Sequence, residues 1–138
     1  MSGLLEGKTI VITGGSTGIG RATANRCAEE GAAVVIADIN KTDAQIACDE
    51  IKSKNGNVMF VETDVTDSNA VKSMLEKAVD THGALHGAFN NAGIEGAFTN
   101  IMKMTEEEFD RTVNVDLKGV WVCVKHEIEQ FVAQGEGG

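Results

Sequence analysis

The 138-residue chain contains no tyrosine and no proline, and only 4% of its residues are aromatic. Without tyrosine, no phenol stands among its candidate proton-transfer groups. Basic residues are also scarce: 12 Lys and Arg face 21 Asp and Glu, for a formal charge of -9. That balance opposes attraction to a phosphate backbone and leaves no basic stripe, which argues against a nucleic-acid partner. Cysteine is limited to Cys27, Cys48 and Cys123, odd in number and widely spaced in apolar stretches, with no C-x-x-C pair. Neither a disulfide framework nor a zinc site is expected, and reduced thiols fit a cytoplasmic location. The histidines His82, His86 and His126 form no metal set, because Gly83 interrupts the first two. The longest obvious apolar run, Ala32 to Ala37, is far too short to cross a bilayer, and Met1 to Lys8 lacks the pattern of a signal peptide. No membrane partner is expected.

What is present is alternation. With 42% hydrophobic residues, the chain is long enough for one core, and a single α/β domain over residues 1–138 is expected. Thr9 to Thr13, Ala33 to Asp38 and Val58 to Glu62 read as short buried strands, and Gly87 to Asn90 as a fourth. Between them, Ala44, Ala47, Cys48 and Ile51 follow a helical period, as do Ala70, Val71, Met74, Leu75, Ala78 and Val79. Thr42 with Gln45 fits a capping box, Asp67 fits the next cap, and Gly31 and Asn55-Gly56 supply left-handed ends. A long last helix is expected from Glu106 to about Gln134, started by a Thr105/Glu108 capping box and a Met104/Phe109 staple. Its apolar face, with Val113, Leu117, Val120, Trp121 and Val124, suits a sheet or a second copy of itself. Strand–helix alternation argues for a parallel sheet in the order 3-2-1-4, with ligands bound beyond the carboxyl ends of the strands.

The chemistry-bearing motifs fall at those ends. Thr13-Gly14-Gly15-Ser16-Thr17-Gly18-Ile19-Gly20 follows the first strand and opens the first helix, the context of a phosphate-binding turn. Asp38 ends the second strand, where a carboxylate can accept from ribose hydroxyls and repel a 2′-phosphate. No Arg or Lys stands at Ser16, Thr17, Ile39 or Asn40, which favours NAD over NADP, although Lys41 could swing toward a phosphate. Asp64-Val65 follows the third strand and Asn90-Asn91-Ala92-Gly93 the fourth, where small residues would sit beside a cofactor and one asparagine could bond across strands. Asn114 interrupts an apolar helix face, a position that asks for a reason.

The spacing T-G-x-x-x-G-x-G, with Asp64-Val65, Asn90 to Gly93 and Asn114 in the same order, resembles the short-chain dehydrogenase/reductase family over nearly the whole chain. The resemblance implies a Rossmann-like fold and a nicotinamide dinucleotide held by Gly14, Ser16, Thr17, Gly18, Ile19, Gly20, Asp38, Ile39, Asp64, Val65, Asn90 to Gly93 and Val113. It further implies hydride transfer between nicotinamide and a small secondary alcohol or ketone. Asp64 would accept from the adenine amino group, and Asn114 would bend its helix and hold a water of the proton relay. The family's serine and Tyr-x-x-x-Lys segment would follow the last residue, so of the catalytic positions only Asn114 is represented. Cys123 and His126 lie ~14–18 Å further along the helix, too far to substitute. The expectation is a cofactor-binding portion, truncated before its catalytic segment and inactive alone; a non-catalytic NAD-binding module or an excised folding unit is the alternative. One wall of a substrate pocket is expected from Ile94, Glu95 and Phe98. A homo-oligomer through the 106–134 helix is also implied.

Overall fold

β-Branched side chains favour extended backbone, and the three runs rich in them become β1 (Thr9–Thr13), β2 (Ala33–Asp38) and β3 (Asn57–Glu62). A fourth strand, β4 (Gly87–Asn90), completes the sheet. The computed structural model describes residues 3–138; Met1 and Ser2 of the expected 1–138 unit lie outside the described residues. All strand pairs are parallel, in the order β3-β2-β1-β4, as expected. In register, Thr13 stands between Ala37 of β2 and Asn90 of β4, so three strand ends reach one rim.

Parallel neighbours need crossovers, which α1 (Gly18–Glu29), α2 (Lys41–Ser53) and α3 (Ser68–His82) supply. Ile12, Val34 and Ile36 face one side of the sheet and pack with Ala24 of α1 and Ala44, Ala47 and Ile51 of α2. Val11, Val35 and Val61 face the other, against Val71, Met74 and Leu75 of α3 and a later helix that contributes Val122 and Cys123. Each large aliphatic side chain so buried is worth roughly 1.5–3 kcal/mol, and together they fix the strand ends that build the cleft.

One expected start is corrected. Thr42 does not cap α2: Asn40 does, its side chain accepting from the backbone N–H of Asp43 at 3.0 Å. Its Nδ2 donates to the Asp43 carboxylate at 2.6 Å, while Gln45 turns to Asp49. The helix begins at Lys41, so Thr42 already has helical backbone and its hydroxyl cannot serve the first turn. Asp67 caps α3, and Asn55 carries the positive φ, 63°, before β3.

The expected last helix is interrupted. α4 (Glu106–Val113) opens with the full Thr105/Glu108 capping box, although Phe109 is left exposed. A π-helical turn (Asn114–Lys118) then leads into α5 (Gly119–Gln134). A Cβ on Gly119 would lie 2.8 Å from a Val65 methyl, so the helix passes this point in close contact with the loop that follows β3. Phe89 of β4 is at the sheet's margin and partly exposed, and ahead of β4 Gln134 bonds the backbone N–H and C=O of Leu85.

Candidate cofactor site

At the carboxyl ends of the strands the loops enclose a cleft of about 840 Å³. Its walls include Gly14, Thr17, Gly18, Ile19, Asp38, Ile39, Asp64, Val65, Asn91, Ala92, Gly93 and Asn114, so twelve of the expected site residues converge. Ser16, Gly20, Asn90 and Val113 do not line it. Ile94 and Glu95 of the suggested substrate wall do; Phe98, 93% exposed, does not.

Backbone conformation explains the glycine turn. Gly14 and Gly18 have φ of 64° and 54°, values that disfavour a side chain. A Cβ on Gly20 would lie 2.1 Å from the Gly14 carbonyl oxygen, which is why the turn closes only on glycine. Asn40, Asp67 and Thr105 cap their helices through side chains, but no side chain caps α1 at Thr17. The first amides of α1 and the positive end of its dipole therefore face the cleft, an arrangement suited to a phosphate.

Ser16 is 1% exposed and acts away from the cleft. Its backbone N–H and its hydroxyl donate to Asp38 Oδ2 at 3.2 and 2.5 Å, and Asn40 N–H donates to Oδ1 at 3.0 Å. These three donors hold the carboxylate at the end of β2 while it remains part of the wall. Lys41 is paired with Glu62 at 2.9 Å, an alternative engagement for that cation. Asp64 Oδ1 accepts from both N–H and hydroxyl of Thr66, a turn role that coexists with its place in the cleft.

The two asparagines after β4 divide their work. Asn91 Nδ2 donates to the carbonyls of Thr13 and Gly14, at 3.2 and 3.1 Å, and ties the glycine turn to β4. Thr13 Oγ1 accepts from the N–H groups of Asn91 and Ala92 at 3.1 and 3.0 Å. Asn90 points into the interior, where it bonds Glu127. Asn114 is exposed at the mouth, at the first residue of the π-turn, and its apolar neighbours do not enclose it.

Sequence reasoning missed several wall residues. Arg111, one helical turn before Asn114, brings a cation to a cleft that also holds Asp38, Asp64 and Glu95. Thr63, Thr66 and Val115 also join the wall; the i, i+3 spacing of Arg111 and Asn114 was the available signal. Cys123 is buried, and desolvation, with the neighbouring Glu127, pushes its thiol up to about 12. His126 is engaged elsewhere, between Ser68 and Glu129 at 2.8 Å each. No group of His, Cys, Asp and Glu suited to a metal occurs among the described residues, and no helix there is long and apolar enough to cross a membrane.

Comparison with known proteins accords with this geometry. The chain is 40% identical over 133 residues to an uncharacterized oxidoreductase of Bacillus subtilis, covering 96% of this chain and 49% of that protein. It is 36% identical to a cyclohexanol dehydrogenase of an Acinetobacter strain, covering 99% and 55%. A crystal structure of a short-chain type dehydrogenase/reductase from Mycobacterium marinum superposes with a TM-score of 0.93 at 35% identity, covering 97% and 54%. An NAD+-bound xylitol dehydrogenase gives 0.93 at 30%, covering 97% and 52%. The chain thus spans about half the length of the relatives it matches. The family model for short chain dehydrogenases matches residues 8–138, and the chain belongs to the short-chain dehydrogenase/reductase family.

Proposed function

We propose that the chain is the cofactor-binding portion of an NAD-dependent oxidoreductase that moves a hydride between nicotinamide and a small secondary alcohol or ketone. One observation carries the choice of cofactor: the Asp38 carboxylate is fixed by Ser16 and Asn40 in the wall of a cleft that also receives the uncapped end of α1. A fixed negative charge there accepts from ribose hydroxyls and disfavours a 2′-phosphate. The bound NAD of a xylitol dehydrogenase with this fold, and the alcohol named for the Acinetobacter relative, support the same reading.

When bound, the nicotinamide supplies the hydride acceptor or donor. The residues of this chain bind and orient it: the α1 amides take the pyrophosphate, Asp38 the adenosine ribose, and Asp64 with Val65 the adenine. Ala92 and Gly93 present small surfaces where bulk would intrude, and Asn114 at the mouth holds a water of the proton path. With no tyrosine in the chain, the group that exchanges the alcohol proton is not among these residues, and the chain alone is proposed to be without turnover. That same absence favours, as a second reading, a binding module without chemistry.

Calorimetric titration with NADH and NADPH, beside a dehydrogenase assay on secondary alcohols, tests both readings. NADH binding tighter than NADPH, lost preference in Asp38→Ala and no turnover are expected. Tighter NADPH binding would overturn the role of Asp38, and binding of neither would overturn the cofactor reading. Extending the chain by a serine and Tyr-x-x-x-Lys segment should restore turnover if it is part of an enzyme, and should not if it is a module.

A further inference from the structure

One bonded pair of side chains in the interior has an acceptor too many. Glu127, on α5, is 5% exposed, and its Oε2 accepts from Asn90 Nδ2 at 2.9 Å. The remaining oxygen of each side chain, Glu127 Oε1 and Asn90 Oδ1, is buried and has no hydrogen-bond partner among the described residues. The amide oxygen of Asn90 only accepts, and an ionised carboxylate only accepts. Two buried acceptors without a donor are costly to leave in that state. A protonated carboxyl, however, has one O–H to give. When an acid and a primary amide already share an N–H···O bond, their second atoms can close the pair from the other side.

We propose that Glu127 and Asn90 form a two-point acid–amide contact. Glu127 Oε1–H donates to Asn90 Oδ1, Asn90 Nδ2–H donates back to Glu127 Oε2, and Glu127 thereby acts as a positioning residue for the cofactor end of β4. Burial pushes the Glu127 carboxyl above the ordinary range, against a smaller opposing effect of the Asn90 bond, and no charged group contributes. The groups around it agree. Cys123, one turn earlier on α5, is a thiol pushed up to about 12, first by burial and then by the neighbouring Glu127, and so brings no charge of its own near neutral pH. His126 and Glu129 of α5 meet Ser68 of α3, in a groove with Lys72 and Glu76, and His86 before β4 is paired with Glu136.

The contact reaches the cleft through the backbone. Asn90 is followed by Asn91 and Ala92, whose amides end on Thr13 while the Asn91 side chain holds Gly14. Its effect on ligand rests on the NAD reading above; the contact itself does not.

Two measurements separate these. A ¹³C NMR titration of the Glu127 carboxyl should find it neutral at neutral pH, and an ionised Glu127 there would overturn the proposal. NADH affinity should fall as pH rises through the ionisation of Glu127, whereas Glu127→Gln, whose amide reproduces both bonds, should keep the low-pH affinity throughout. Glu127→Ala should bind about tenfold more weakly; if it does not fold, wild type and Glu127→Gln decide the matter. A Glu127→Gln protein whose affinity follows the wild-type pH curve would refute the positioning role. If no variant binds NADH, the cofactor reading fails while the titration still judges the contact.

Discussion

Ser16 gives both its backbone N–H and its hydroxyl to a single oxygen of Asp38, 22 residues away. A glycine-loop residue thus serves the ribose position from behind, and its removal should register there. Ser16→Ala should weaken NADH binding about tenfold or more, the worth of one hydrogen bond to a charged group, and narrow the preference over NADPH. Calorimetry reads both, and unchanged affinity would mean that the two backbone donors, at residue 16 and Asn40, suffice to hold the carboxylate.

Thr13 is the corresponding support at β1. Its buried hydroxyl oxygen takes the N–H groups of Asn91 and Ala92. Thr13→Val keeps the shape and leaves two donors unmet, so a loss of about 2 kcal/mol or more is expected in urea unfolding. Thr13→Ser should retain most of the stability; equal losses in both variants would place the effect in packing rather than in the hydroxyl.

The raised pKa of Glu127 has a sign in stability. Burial lifts it above the ordinary 4.5, so the folded state holds this proton more tightly than the unfolded state does. Its contribution is complete below about 4.5 and is lost as pH rises through the folded value, with a limiting slope of about 1.4 kcal/mol per pH unit. Wild type should therefore decline relative to Glu127→Gln across that window in thermal or urea unfolding. Parallel curves would contradict the shift.

The last helix leaves a surface uncovered. Leu117, Trp121, Val124, Ile128 and Val132 are all exposed and recur at helical spacing along one side. Concentration-dependent self-association is expected in sedimentation velocity, reduced by Trp121→Glu. A monomer at all concentrations would assign this stripe to some other cover.

The strands, their order and the glycine turn were legible because each rests on a local rule: β-branched runs, alternation with helical periods, and glycines where a helix opens. The cap of α2 was misread because Thr42 and Gln45 satisfy a pattern that Asn40 and Asp43 satisfy two residues earlier, and only the backbone shows where the helix begins. Ser16 was grouped with ligand-facing residues because sequence gives no sign that a side chain inside a glycine turn points backward. The Asn90–Glu127 bond spans 37 residues, and nothing in either neighbourhood signals the other. The π-turn escaped a search at 3.6 residues per turn, since one extra residue looks like an imperfect stripe; the family resemblance alone implied a bend at Asn114.

That extra residue makes the last helix two rulers set out of phase. Asn114 keeps time with α4 and the mouth of the cleft, while Val122, Cys123 and Glu127 keep time with the core. Deleting any one residue within 114–118 would bring the rulers into step as a regular α-helix, without turning the second half relative to the first. Glu127 would then stay beneath Asn90, whereas the same deletion in α5 ahead of it would carry it round by about 100°, so at the wide turn the fold tolerates a change of chain length that α5 does not.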